Sequence, residues 1–149
     1  MMTLNEFLDN VEGDDFREEC ESICAMLRDI ESRYDWVGIY WLKKDELVLG
    51  PWSGPNETEH KKIPISEGIC GAAAREGQTV IVDDVNKDPR YLACFVETRS
   101  EIVVPIRAKG KIIGEIDIDG KDVGAFNDKD KKFLEALAEH IGNNWPGKW

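Results

Sequence analysis

Gly114-Glu115-Ile116-Asp117-Ile118-Asp119-Gly120 alternates acids with isoleucines between bounding glycines. Successive side chains of an extended chain point to opposite faces, so Asp117 and Asp119 share one face of a strand while Ile116 and Ile118 share the other. The isoleucine face is expected to be buried. The two aspartates stand roughly 6 to 7 Å apart, close enough for like-charge repulsion to raise the proton affinity of at least one. Immediately upstream, Ser100 to Arg107 holds the apolar run Ile102-Val103-Val104-Pro105-Ile106, and Ala108-Lys109-Gly110 joins the two stretches as a hairpin. The same period of two recurs in Trp36-Val37-Gly38-Ile39-Tyr40-Trp41-Leu42 and Glu46-Leu47-Val48-Leu49-Gly50, which pair across Lys43-Lys44-Asp45. Lys61 to Ile65 and Thr79 to Val82 read as shorter strands.

Helices bracket and interrupt these strands. Thr3-Leu4-Asn5-Glu6 has the pattern of a capping box, and Gly13-Asp14-Asp15 opens a longer helix to about Ser32, with Phe16, Cys20, Ile23, Leu27 and Ile30 on one stripe. Ser66 is placed to cap a small-residue helix, Gly68 to Glu76, which Gly77 stops. Asn127 caps a last helix that turns Phe133, Leu134, Leu137 and Ile141 inward. Asp83 to Arg99 is a long connection of the kind that carries function, with a helical turn near Pro89. Trp145 and Trp149 flank Pro146 in a tail expected to dock on the body or on a partner subunit. The element order predicts an α+β fold with helices against a largely antiparallel sheet.

At 149 residues and 42% hydrophobic content the chain fits one domain. Thirty acidic against 19 basic residues give a net charge of −11, which argues against nucleic acid or an anionic membrane as a partner. No apolar run approaches the ~20 residues that span a bilayer, and the N-terminus lacks the features of a secretory leader. A cytoplasmic location with reduced thiols is expected, which favours free, catalytic or metal-binding cysteines over structural disulfides. Cys20 and Cys24 share a helix face without a second ligand pair, and neither His60 nor His140 has ligand spacing, so no metal is expected.

Cys94 lies in the long connection, in Leu92-Ala93-Cys94, just before Ser100-Glu101-Ile102-Val103-Val104-Pro105. Taken in order with Trp36 to Tyr40, Leu47-Val48-Leu49-Gly50-Pro51, Gly68-Ile69-Cys70-Gly71 and Ile113 to Asp119, these stretches resemble the free methionine-(R)-sulfoxide reductases of the GAF superfamily. The likeness runs from Tyr34 onward. It implies a GAF-like sheet with the N- and C-terminal helices packed on one face: N-terminal helices over 1–33, a core over 34–145 and a tail over 146–149.

The resemblance also implies a chemistry. Cys94 attacks the sulfoxide sulfur of unattached methionine sulfoxide as a thiolate. A free cysteine of pKa about 8.5 is only a few per cent ionised at pH 7, and carboxylates nearby lower that fraction unless they share protons. A protonated member of Glu101, Asp117 and Asp119 is expected to donate to the sulfoxide oxygen, leaving methionine and a Cys94 sulfenic acid. The same acids are placed to receive the substrate's α-ammonium. Trp36 and Tyr40, on one strand face with Gly38 leaving space between them, are expected to wall in its methyl and thioether end. The first turn of the Gly68 helix, with Ile69 and Cys70, offers backbone N–H groups to its carboxylate. No cofactor is implied.

By the same resemblance Cys70 resolves the sulfenic acid, and thioredoxin or a similar dithiol reduces the disulfide. The chain departs from the family in having His60 where a further cysteine is common and Phe95 where an acid often follows the catalytic cysteine. Resolution by Cys70, by Cys20 or Cys24, or by an external thiol stays open. A homodimer through the terminal helices is compatible with the family. The competing reading is a GAF-type module that binds a small molecule or registers oxidants without turnover.

Overall fold

A computed structural model describes residues 2–92 and 97–149. Two tight hairpins form the middle of its sheet. Strand β1 (Trp36–Lys43) turns into β2 (Glu46–Ser53) through Lys44 in the left-handed region, and β5 (Ser100–Ala108) into β6 (Lys111–Gly120) through Lys109 and Gly110, both left-handed. Such turns match the right-handed twist of paired strands. Strand β1 also pairs antiparallel with β6, bringing Gly38 opposite Asp117 and Trp36 opposite Asp119. With β3 (Lys62–Pro64) and β4 (Val80–Val82) at the edges, the sheet has six strands in the order β3-β2-β1-β6-β5-β4. All five adjacent pairs are antiparallel.

Strand alternation sorts the side chains into two layers. Val37, Ile39, Trp41, Ile102, Val104, Ile106, Ile116 and Ile118 face one way, under α1 (Leu4–Asp9), α2 (Phe16–Ile30) and α4 (Asp128–Asn143). Trp36, Tyr40, Leu47, Ile63 and Val103 face the other, under α3 (Gly68–Glu76). The terminal helices therefore share a face, as expected. Helix α4 approaches β5 so closely that a Cβ on Gly142 would stand 1.8 Å from the Arg107 carbonyl oxygen. The tail folds back onto its own chain: Trp145 and Trp149 lie 4.7 and 5.3 Å from the Trp41 ring, and the Arg17 guanidinium covers Trp149.

The start of α4 is tied down from the other end of the chain. Asn127 Oδ1 accepts from the N–H groups of Lys129 and Asp130, and Asp130 returns the bond to the Asn127 N–H. Arg33 donates to both oxygens of Asp130, and the Tyr34 hydroxyl donates to the same carboxylate.

Local departures from the expected elements have local causes. Strand β3 stops at Pro64, a residue without an N–H for the ladder. Helix α3 begins after Glu67, not Ser66, and no side chain caps it. The helical turn falls at Val85–Lys87, before Pro89, because the Asp84 carboxylate accepts from Asn86 N–H. Among the described residues no helix is long and apolar enough to cross a membrane.

Candidate active site

The register of three strands and one helix assembles an acidic interior. Glu101 on β5 stands opposite Asp119 on β6, and Asp117 lies one same-face step along β6 between Gly38 and Val103. Strand alternation brings Glu115 to that face too. All four carboxyls are buried, Glu115 completely. Helix α3 lies over them with Cys70, whose thiol, Glu101 and Asp117 each place one polar atom within 4.8 Å of the other two. A thiol and two carboxylates at that spacing could also take a divalent ion, a donor set that sequence spacing could not reveal because its members lie on different elements.

Burial raises the pKa of Asp117, Asp119 and Glu115, and Asp117 adds like-charge repulsion on both neighbours. Glu101 is hydrogen-bonded to Asp117 and to Asp119, contacts that require a proton on one partner of each pair. Among the described residues, no lysine, arginine or histidine contributes to the balance at any of these three acids. Burial and like charge thus favour the protonated forms of Asp117, Asp119 and Glu115. Cys70 is pushed well above an ordinary thiol by burial, then by Asp117, Glu115 and Glu101. As it stands it is a protonated thiol.

A cavity of about 10 Å³ lies among Ile63, Gly68, Ile69, Cys70, Leu92, Glu101 and Asp117. It adjoins the uncapped first turn of α3, where backbone N–H groups and the helix dipole favour an anion. Trp36 and Tyr40 are buried beside the acids. The space at Gly38 is not open, however: the Trp36 indole lies across it, and a Cβ there would meet the ring at 2.2 Å. Trp52, half-exposed, stacks on that indole at 6.3 Å and 14°. The Tyr40 hydroxyl donates to the His60 carbonyl at 2.7 Å.

The structure therefore brings together Trp36, Tyr40, Ile69, Cys70, Glu101, Asp117 and Asp119. Cys94 lies outside the described residues. Cys20 and Cys24 are buried on the opposite face, under α2, and burial pushes Cys20 up to about 12 and Cys24 well upward. The sheet separates them from the acids. Glu115 is the member that sequence reasoning passed over, although it obeys the alternation that selected Asp117 and Asp119.

A GAF domain family profile matches residues 13–145. The free methionine-R-sulfoxide reductase of Saccharomyces cerevisiae is 45% identical over 114 residues, 74% of this chain and 62% of that protein. The enzyme of the same name from Escherichia coli is 36% identical over 117 residues, 78% of this chain and 70% of its own. The matched segment thus spans less than two thirds of the yeast relative. Among solved structures, the Neisseria meningitidis free methionine-R-sulfoxide reductase in complex with its substrate superposes with a TM-score of 0.87 at 34% identity, covering 95% of this chain and 85% of that one.

Proposed function

The chain belongs to the GAF domain family and, within it, to the free methionine-R-sulfoxide reductases, and we propose that it reduces free L-methionine-(R)-sulfoxide to L-methionine. The observation that carries the proposal is the buried set of carboxyls with no cation among the described residues acting on Asp117, Asp119 and Glu115. Such a site gains most from a ligand that brings its own positive charge. A free amino acid supplies an α-ammonium, whereas a residue inside a polypeptide has an acylated nitrogen and cannot. The α3 N-terminus suits the ligand's carboxylate, and Trp36 and Tyr40 its methyl and thioether end.

In the reaction, the Cys94 thiolate attacks the sulfoxide sulfur while a protonated carboxyl of the Glu101, Asp117 and Asp119 group donates to the sulfoxide oxygen. The oxygen passes to Cys94 as a sulfenic acid, and methionine leaves two electrons richer. Cys70 then closes a disulfide that thioredoxin or another dithiol reopens. A cytoplasmic location and a dimer through the terminal helices complete the proposal.

Incubation with resolved epimers of methionine sulfoxide and dithiothreitol tests it. Catalytic loss of the R epimer, absent in Cys94→Ser, is the expected result. Saturable binding without consumption would replace the enzyme with a sensing module.

A further inference from the structure

Helix α3 sets Cys70 over two strands at once, and the three elements together present a donor set with the dimensions of a metal site. The Cys70 sulfur, one Glu101 oxygen and one Asp117 oxygen all lie within 4.8 Å of one another, and all three residues are buried. In a tetrahedral zinc site, with Zn–S about 2.3 Å and Zn–O about 2.0 Å, neighbouring ligand atoms stand roughly 3.3 to 3.5 Å apart. The three atoms therefore need to close by about 1.5 Å at most, within the swing of their side-chain torsions.

A second observation points to a ligand there. Asp117 is 3% exposed, and its Oδ1 has no hydrogen-bond partner among the described residues. With Glu101 and Cys70 it lines a cavity of about 10 Å³ whose other walls include Ile63, Ile69 and Leu92. That is room for one small species and no more. The lining says which kind. Sulfur beside two carboxylates selects a borderline-soft ion such as Zn²⁺, whereas Ca²⁺ takes about six to eight oxygens and Mg²⁺ a near-ideal octahedron that keeps several waters. Among the described residues no lysine, arginine or histidine acts on Asp117, so a metal's charge has no rival at that carboxylate.

We propose that Cys70, Glu101 and Asp117 hold a single Zn²⁺, bound through the Cys70 sulfur and one oxygen of each carboxylate, with a water in the fourth position. The ion enters in exchange for the thiol proton and any proton on the two carboxyls, which pass to solvent, and no atom is oxidised or reduced. The site itself stands apart from the reductase reading. One consequence rests on that reading: the ion and the substrate α-ammonium compete for the same carboxylates, so the zinc-loaded protein is inactive until the metal leaves.

The test uses the full chain, reduced and then freed of reductant by gel filtration under nitrogen, because dithiols themselves chelate metal. Equilibrium dialysis against Zn²⁺ should leave a single ion per chain. Co²⁺ in its place should give the d–d bands of a tetrahedral site together with sulfur-to-cobalt charge transfer. Cys70→Ser should abolish the charge transfer, while Cys20→Ala, on the opposite face of the sheet, should keep it. Glu101→Gln and Asp117→Asn should each weaken Zn²⁺ retention by about a hundredfold or more, since even groups behind the ligands are worth about 10- to 100-fold. Circular dichroism identifies the folded variants. Failure of the unmodified protein to retain Zn²⁺, charge transfer that survives Cys70→Ser, or retention unchanged in both carboxylate variants overturns the site. No substrate is present in these measurements, so those results leave the reductase standing. Zinc-loaded protein given methionine-(R)-sulfoxide should release methionine only after EDTA is added, and release at the metal-free rate overturns the competition. Metal-free protein that releases no methionine overturns the function and leaves the zinc site in place.

Discussion

At Gly38 the missing side chain is already in use, because the Trp36 indole occupies the place a Cβ would take. Gly38→Ala must push that ring, on which Trp52 is stacked. Overpacking of this kind costs about 1 to 3 kcal/mol, so a lowered urea midpoint is expected. Because Trp36 also walls the proposed pocket, KM should rise more than kcat falls. Equal stability and KM would mean that the ring has room to yield. Asp117 lies directly across the strand pair from this glycine, and its substitution acts on another quantity. Asp117→Asn keeps the shape but removes a proton from circulation among the hydrogen-bonded acids. It should lower kcat by about 10² to 10⁴-fold in steady-state assays with dithiothreitol, the range for loss of a positioned acid. An unchanged kcat would remove the acid from the chemistry.

Among the elements, α4 depends on one side chain more than its length suggests. Asp130 closes the capping box and receives Arg33 and Tyr34, linking the first turn of α4 to the segment that leads into β1. Asp130→Ala leaves Arg33 and Tyr34 without their shared acceptor; the partly exposed guanidinium can turn to water, so the lost hydrogen bonds cost about 1 to 3 kcal/mol. Chemical denaturation should show that loss, with Arg33→Ala costing more because it leaves the buried Asp130 carboxylate without its cation. This network joins residues far apart in the chain, and no period or motif announced it. Asn127 was legible as a cap because capping is local chemistry, and the hairpins were legible because alternation and turn residues lie side by side. The acidic site was legible in part for the same reason: Asp117 and Asp119 declare their face within one strand. Glu115 was missed because the same alternation cannot tell a site acid from a solvated one. Only the cover provided by α3 does that. Cys70 and Glu101 reach each other through β5–β6 register and helix packing, which the resemblance supplied and local pattern could not.

For the whole molecule, the acids make stability depend on pH in a direction opposite to that of most carboxylates. Asp117, Asp119 and Glu115 have folded-state pKa values raised by burial, facing Glu101 from β5, Cys70 from α3 and Asp35 beside Asp119. Their contribution is complete below the unfolded pKa of about 4 and is lost as pH rises through the folded values, at about 1.4 kcal/mol per pH unit for each proton retained. Asp130 runs the other way: burial opposes its ionisation, but Arg33, Tyr34 and the Asn127 N–H hold it below the usual range. Its share is present above pH about 4 and is lost as pH falls through the lowered value. The melting temperature should therefore climb as pH is lowered from 8 toward 5 and fall again below about 4, with the upper limb flattened in Asp117→Asn. A melting temperature that instead rises steadily from pH 5 to 8 would show that the acids are not held protonated. The sheet also sorts the five tryptophans by side: Trp36 and Trp52 stack on the acid side, and Trp41, Trp145 and Trp149 cluster on the other. The chain thereby carries two optical probes divided by a single layer of backbone. Emission from the first pair reports what enters the pocket, while the second set registers only whether the carboxyl-terminal tail stays docked.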